Sequence, residues 1–214
     1  MHWTSLAALA LVAPTDALIR FSCSQLVRTR LDPLVNPGQA PSVHVHQIVG
    51  GVSISITRNW VMELTIALLQ NTFNATMDPK TDIGNTATCT TCTFSEDFSN
   101  YWTAILYFKA RNGTYKRVGQ VPNVGFDGAN GGMTIYYMQN QLADYAQKAK
   151  VTAFKPGFRM LVGNPTIETR EEAKRFRQLT YTCLQDLNTR YPETIDFPKK
   201  PCLAGIMVNL RFPT

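Results

Sequence analysis

The sequence predicts a mainly β protein, an antiparallel β-sandwich or jelly-roll-like domain with few short helices. Short runs rich in Val, Ile, Tyr, Phe or Thr recur along the chain. Turn-forming dipeptides separate them: Asn112-Gly113, Asp127-Gly128, Gly131-Gly132, Pro156-Gly157 and Asn164-Pro165. Helical periodicity is scarce.

Taken in order, strands are expected at Val43–Val49, Thr103–Phe108, Met133–Met138, Phe158–Val162, Leu179–Cys183 and Ile206–Phe212. Helix is expected over Glu168–Arg177, which carries charged helix formers, with a few turns over Gln141–Lys150. One stretch breaks the β pattern. Val52–Gln70 is apolar, is interrupted by Arg58 and Glu63, and directly follows a Gly-Gly turn. Within it Trp60–Leu69 reads as a buried or amphipathic helix, too short to cross a bilayer of about 20 helical residues. No internal repeat or low-complexity tract occurs.

The 214 residues, 44% hydrophobic and 17% charged, describe one globular domain with enough apolar material for a core. The formal charge of +6 favours an anionic neighbourhood such as acidic polysaccharide or a wall surface. Lysines and arginines are scattered rather than gathered in a stripe, which argues against a nucleic-acid partner.

Residues 1–17 read as a signal peptide: Leu6–Ala13 is apolar, and Thr15-Asp16-Ala17 places small residues at the cleavage-determining positions. The expected mature domain is 18–214, secreted, with no transmembrane segment. Cys23, Cys89, Cys92, Cys183 and Cys202 suit disulfides in an oxidising compartment, and their odd number leaves one without a partner. Zinc would require a second pair spaced like Cys89 and Cys92, which Cys183 and Cys202 do not supply. Asn74-Ala-Thr76 and Asn112-Gly-Thr114 are glycosylation sequons, whereas proline blocks Asn164-Pro-Thr166.

Seven strings carry a resemblance: RLDPLVNPG (Arg30–Gly38), HVHQIVGG (His44–Gly51), CTTCTFSEDFSNYWT (Cys89–Thr103), LYFKARNGTYKRV (Leu106–Val118), NGGMTIYYM (Asn130–Met138), AFKPGFRMLVGNP (Ala153–Pro165) and FPKKPCLAGI (Phe197–Ile206). In this order they resemble a family of secreted fungal proteins catalogued as a domain of unknown function, sometimes fused to WSC carbohydrate-binding domains. The resemblance implies an extracellular β-rich protein associated with carbohydrate.

It also implies two departures. Family members pass from the Gly-Gly pair directly into a stretch like Asn71–Asn74, so residues 52–70 read as 19 translated codons of an unspliced intron. Valine codons begin with GT and glutamine can be CAG, the usual intron ends. A genuine surface insertion is the alternative, since loops tolerate added length. Relatives also continue past Arg211-Phe-Pro-Thr214 with a further cysteine and histidine-containing strands. A chain ending there is expected to be incomplete at its C-terminus, to fold poorly alone and to lack activity.

His44-Val45-His46 is the most suggestive chemical constellation. On a strand, residues i and i+2 share a face, so the two imidazoles converge as an acid/base pair or as two ligands of a divalent metal. Glu96, Asp97 and Asp32 are the carboxylates nearest these motifs. Adjacent Glu96 and Asp97 would point to opposite strand faces and cannot form a glycosidase pair by themselves, and Asp32-Pro33 reads as a turn start. Asn100, Tyr101, Trp102, Tyr136, Tyr137 and Arg159 offer a sugar-binding surface of rings and a cation. Of these, Tyr101, Trp102, Tyr137 and Arg159 are taken as the substrate-binding set, with extracellular polysaccharide as partner. Alternation sends Tyr136 and Tyr137 to opposite faces. Two functions fit: polysaccharide cleavage at His44 and His46, or a non-catalytic carbohydrate-binding or structural wall module. Fingerprints of nucleotide, dinucleotide, serine-hydrolase and zincin chemistry are absent from the sequence.

Overall fold

A computed structural model describes residues 18–32, 34–52, 83–123, 131–138, 152–186 and 188–212. Among these the chain is mainly antiparallel β with two short helices, as the sequence predicts. The expected signal peptide, Trp60–Leu69 and Gln141–Lys150 helices, and Asn74 lie outside the described residues.

The longest strand among the described residues, β1 (Leu18–Thr29), is not one that the sequence predicts. Its signal was present: Ile19, Phe21 and Cys23 alternate with Arg20, Ser22 and Ser24. The alternation then breaks at a β-bulge between Gln25 and Val27, beyond which Leu26 is the buried residue. The bulge divides the strand's pairing. Leu18–Ser24 pairs with β7 (Gly132–Met138), whereas Gln25 and Val27–Thr29 pair with β2 (His46–Val52).

β2 is the centre of the sheet, and all seven of its residues are buried. It pairs with β1 on one side and with β4 (Asn100–Ala104) on the other, and its last two residues pair with β3 (Cys89–Thr90). Because successive side chains alternate, β2 and β4 feed two cores. Ile48 and its partner Trp102 lie in one with Leu26, Leu31 and Val52, while Val49 and its partner Tyr101 lie in the other with Phe21, Cys23 and Cys92. Gln47, also buried, donates from Nε2 to the Gly132 carbonyl (2.8 Å) and so ties β2 to β7 across β1.

The Gly-Gly pair of β2 is dictated by a close approach. Gly50 has φ +104°, and a Cβ there would stand 2.0 Å from the Ser99 carbonyl oxygen. Val52, first residue of the expected insertion, is the last residue of β2 and belongs to the core; residues 53–70 lie outside the described set.

The remaining strands form two separate hairpins, β5 (Tyr107–Lys109) with β6 (Tyr115–Arg117), and β8 (Leu179–Leu184) with β9 (Gly205–Leu210). The expected Thr103–Phe108 strand is thus split between β4 and β5, with Ile105 buried at the break. Phe158–Val162 is not a strand: residues 152–169 are irregular, and Phe154 and Phe158 stack on each other instead (centroids 4.3 Å). Of the expected Glu168–Arg177 helix only α2 (Arg170–Ala173) forms, its Thr169 cap accepting from the Glu172 N–H. The other helix, α1 (Ile83–Thr86), is equally short.

Two disulfides join Cys23 to Cys92 and Cys183 to Cys202. The partnerless thiol is Cys89, half-buried against the Ile48 core, so Cys89 and Cys92 do not pair with each other. Alternation explains this: Cys92 reaches the Cys23 side of the sheet and Cys89 the opposite one. Among the described residues no helix is long and apolar enough to cross a membrane.

Candidate functional site

His44 and His46 sit where the loop after β1 returns to the sheet. That loop is clamped by Arg30 and Ser42, whose backbones bond (Ser42 N–H to Arg30 carbonyl, 2.7 Å), while Arg30 Nε donates to the Ser42 carbonyl (2.7 Å). Buried Ser42 then donates its hydroxyl to the His44 carbonyl (2.8 Å). Asp32, also buried, accepts from the Leu34 and Val35 N–H groups (3.0 and 2.8 Å), the turn start its sequence suggests.

β2 begins at His46, so the premise that both histidines occupy a strand fails for His44, which lies in a bend. The rings are neighbours all the same, 6.5 Å between centroids. His46 is 5% exposed and His44 half-buried. Nδ1 of His46 lies 2.7 Å from the Leu31 carbonyl oxygen. A carbonyl only accepts, so in the neutral ring the proton sits on Nδ1 and the lone pair on Nε2. The Trp102 ring meets His46 edge-on at 4.5 Å and fixes its plane. Among the described residues no group of three or more His, Cys, Asp or Glu side chains is placed to hold a metal.

The four residues expected to bind sugar divide into two groups. Trp102 joins the histidines. Tyr101, its neighbour on β4, points to the other face and joins Tyr137 of β7. There the Tyr101 hydroxyl donates to Asp97 Oδ2 (2.5 Å) and shares a 2.5 Å bond with the Tyr137 hydroxyl. Burial, followed by the bond to Asp97, pushes the Tyr101 phenol far above the ordinary tyrosine range; burial also raises Tyr137. Tyr136 points away and is exposed, as alternation predicts. Arg159 is half-buried in the irregular stretch, next to Phe158, whose partner Phe154 lies 6.4 Å from Tyr137.

The carboxylates are occupied locally. Glu96 and Asp97 lie in the loop before β4 rather than on a strand, with Glu96 accepting from the Ser95 hydroxyl (2.9 Å) and Asp97 Oδ1 from the Ser99 N–H (3.0 Å). The Asp97–Tyr101–Tyr137 chain escaped sequence reading. Only the four-residue spacing of Asp97 and Tyr101 hinted at it, and the Tyr137 link needed the β1 pairing that brings β7 beside the sheet.

Asn112 occupies the exposed turn between β5 and β6, where its Oδ1 accepts from the Thr114 N–H (3.1 Å) and hydroxyl (2.7 Å).

A family described as a domain of unknown function (DUF1996) matches residues 32–214, which contain the histidines, Trp102 and the tyrosine chain. No curated protein and no solved structure matches the sequence.

Proposed function

We propose that this chain, which belongs to the DUF1996 family, is a secreted protein acting at extracellular carbohydrate, and that the family cleaves an acidic polysaccharide at the cluster formed here by His44, His46 and Trp102. The observation that carries this reading is the fixed His46 ring: its Nδ1 proton is committed to the Leu31 carbonyl and the Trp102 ring packs against it at 63°, leaving Nε2 as a proton acceptor. His44, the more exposed of the two, is the group that meets the glycan, and His46 backs it.

β-Elimination suits this equipment. A base takes the proton α to a uronate carboxyl, the glycosidic C–O bond breaks, the chain oxygen leaves with a proton from an acid, and a C=C bond remains in the product. This chemistry needs one base and one acid, whereas hydrolysis needs two carboxyls across the bond. Glu96 and Asp97 are engaged in their own loop and Asp32 in a turn. The two imidazoles as a divalent-metal site are the weaker form of the same reading, because the described donor set stops at two.

Two disulfides support the extracellular setting, as do the signal-like first 17 residues and the sequon at Asn112, whose side chain already engages Thr114 in an exposed turn. Asn74 is proposed as a second glycosylated position, on its sequon alone. Carbohydrate as partner is also supported by the resemblance to a fungal family whose members are sometimes fused to WSC domains.

The test is product release from a uronate polymer, followed by the ultraviolet absorbance of the new double bond. His44→Ala should abolish release. His46→Ala should lower it, because it removes the ring beside His44. Wild-type turnover in His44→Ala overturns cleavage at this cluster. The burial of His46 favours a second reading, a non-catalytic glycan-binding module in which the ring is structural. Glycan retention with no product from the wild-type chain would select that reading.

A further inference from the structure

The β5–β6 hairpin stands apart from both cores. Residues 107–117, YFKARNGTYKR, contain Lys109, Arg111, Lys116 and Arg117 and no carboxylate. Every residue of the two strands is exposed, including Tyr107 (44%), Phe108 (61%) and Tyr115 (64%). Large apolar rings at such exposure, on a two-stranded ladder with water on both sides, are an unfavourable arrangement for stability alone.

The register orders these side chains. Tyr107 opposes Arg117, and Lys109 opposes Tyr115. Residues 107 and 109 share a face, and so do their partners, so this face carries an alternating square of two tyrosines and two cations. Lys109 Nζ lies 6.0 Å from the centre of the Tyr115 ring. The opposite face pairs Phe108 with Lys116.

We infer that the Tyr107–Lys109–Tyr115–Arg117 face binds a linear acidic polysaccharide, the rings stacking on pyranose faces and the cations pairing with uronate or sulfate groups. Rings and cations recur about 7 Å apart along each strand, which suits a polymer that repeats a flat apolar face and a charged group in every unit. The absence of acidic residues within the hairpin favours an anionic chain over a neutral one. A nucleic acid shares the charge, but the two disulfides belong to an oxidising compartment where acidic glycans are the abundant polyanions. The inference rests on the proposed function only in taking the partner to be a glycan. It reads binding, not turnover, so the two fail separately: loss of cleavage in His44→Ala with intact binding leaves the hairpin site standing.

The test measures binding of the full chain, disulfides intact, to polygalacturonate, with dextran as the neutral polymer and duplex DNA as competitor. Polygalacturonate should bind and dextran should not, with affinity falling as salt rises from about 50 mM. Lys109→Gln should weaken binding about fivefold and, together with Arg117→Gln, about tenfold or more, as should Tyr107→Ala with Tyr115→Ala. Lys116→Gln, on the other face, should change it less than about threefold. Arg117→Lys and Tyr115→Phe keep charge and ring and should retain binding, which separates loss of the site from loss of the hairpin. Equal weakening by Lys116→Gln and Lys109→Gln would overturn the site in favour of diffuse attraction. No binding of polygalacturonate at low salt, or displacement by DNA at a lower charge concentration, would overturn the acidic-glycan assignment.

Discussion

Every residue of β2 is buried, whereas every residue of β5 and β6 is exposed. Composition alone does not separate them: HQIVGGV holds three aliphatic residues, and the short hairpin strands hold three aromatic ones. The difference is made by neighbours. β2 lies between β1 and β4 and supplies side chains to two cores, while the hairpin ladder closes only on itself. Stability is therefore concentrated in the β1–β2–β4–β7 sheet. The hairpins are held by turns, by the Cys183–Cys202 link and by surface ion pairs.

The strongest way to break this contrast is at the sheet. Removing the Cys23–Cys92 bridge, which spans 69 residues, should cost about 4 kcal/mol, and Gly50→Ala about 3 kcal/mol or more through its clash with Ser99 and its positive φ. Either should lower the denaturant midpoint of the whole sheet. Removing Cys183–Cys202, which spans 19 residues, should cost about 3 kcal/mol. Amide exchange should place that loss in β8 and β9, with β1 and β2 still protected. Loss of protection throughout would show that the hairpin and sheet unfold as one unit.

Smaller effects sharpen the comparison by pH. Burial holds the Tyr101 and Tyr137 phenols above their ordinary value of 10.0. The folded state keeps those protons when the unfolded state would release them, so sheet stability should fall as pH rises through 10. A titration of melting temperature, repeated with Tyr137→Phe, checks this. At the acid end the hairpin should respond instead. Arg211 (2.5 and 2.9 Å), then Thr180, holds the Glu193 carboxyl below its ordinary 4.5. Its contribution is present above that value and lost as pH falls through the lower folded value. At such exposure the pair is worth about 0.5 kcal/mol, visible as faster amide exchange in β8–β9 below pH 4.5 and absent in Arg211→Gln. Cys89→Ala should cost about 1 kcal/mol or less. Its value is diagnostic: wild-type protein should show one reactive thiol on unfolding and a peptide linking Cys23 to Cys92.

What could be read from residues alone followed from local pattern. The expected strands Met133–Met138 and Leu179–Cys183 match β7 and β8 almost to the residue, since each is an unbroken run of β-formers. β1 is hard to read in the sequence because its alternation changes phase at the bulge, so no single period runs through it. Phe158–Val162 misled because aromatic and branched residues there serve ring stacking rather than a ladder. At the site, His44 and His46 stood out by type. That Trp102 faces His46 while Tyr101 faces Tyr137 follows from the β2–β4 register, a long-range fact no short string encodes. The square on the β5–β6 face lies within Leu106–Val118, yet its meaning depends on which residues oppose each other across the turn.

The divided pairing of β1 also governs the order in which this protein can assemble. On emerging, β1 must wait for residues 46–52 to satisfy one half of it and for residues 132–138 to satisfy the other. Until then a strand with an apolar stripe and unbonded edges is open to wrong partners, and closing so long a loop is slow. Maturation should therefore depend on a folding environment that shields Leu18–Thr29 until more than half of the chain has been made.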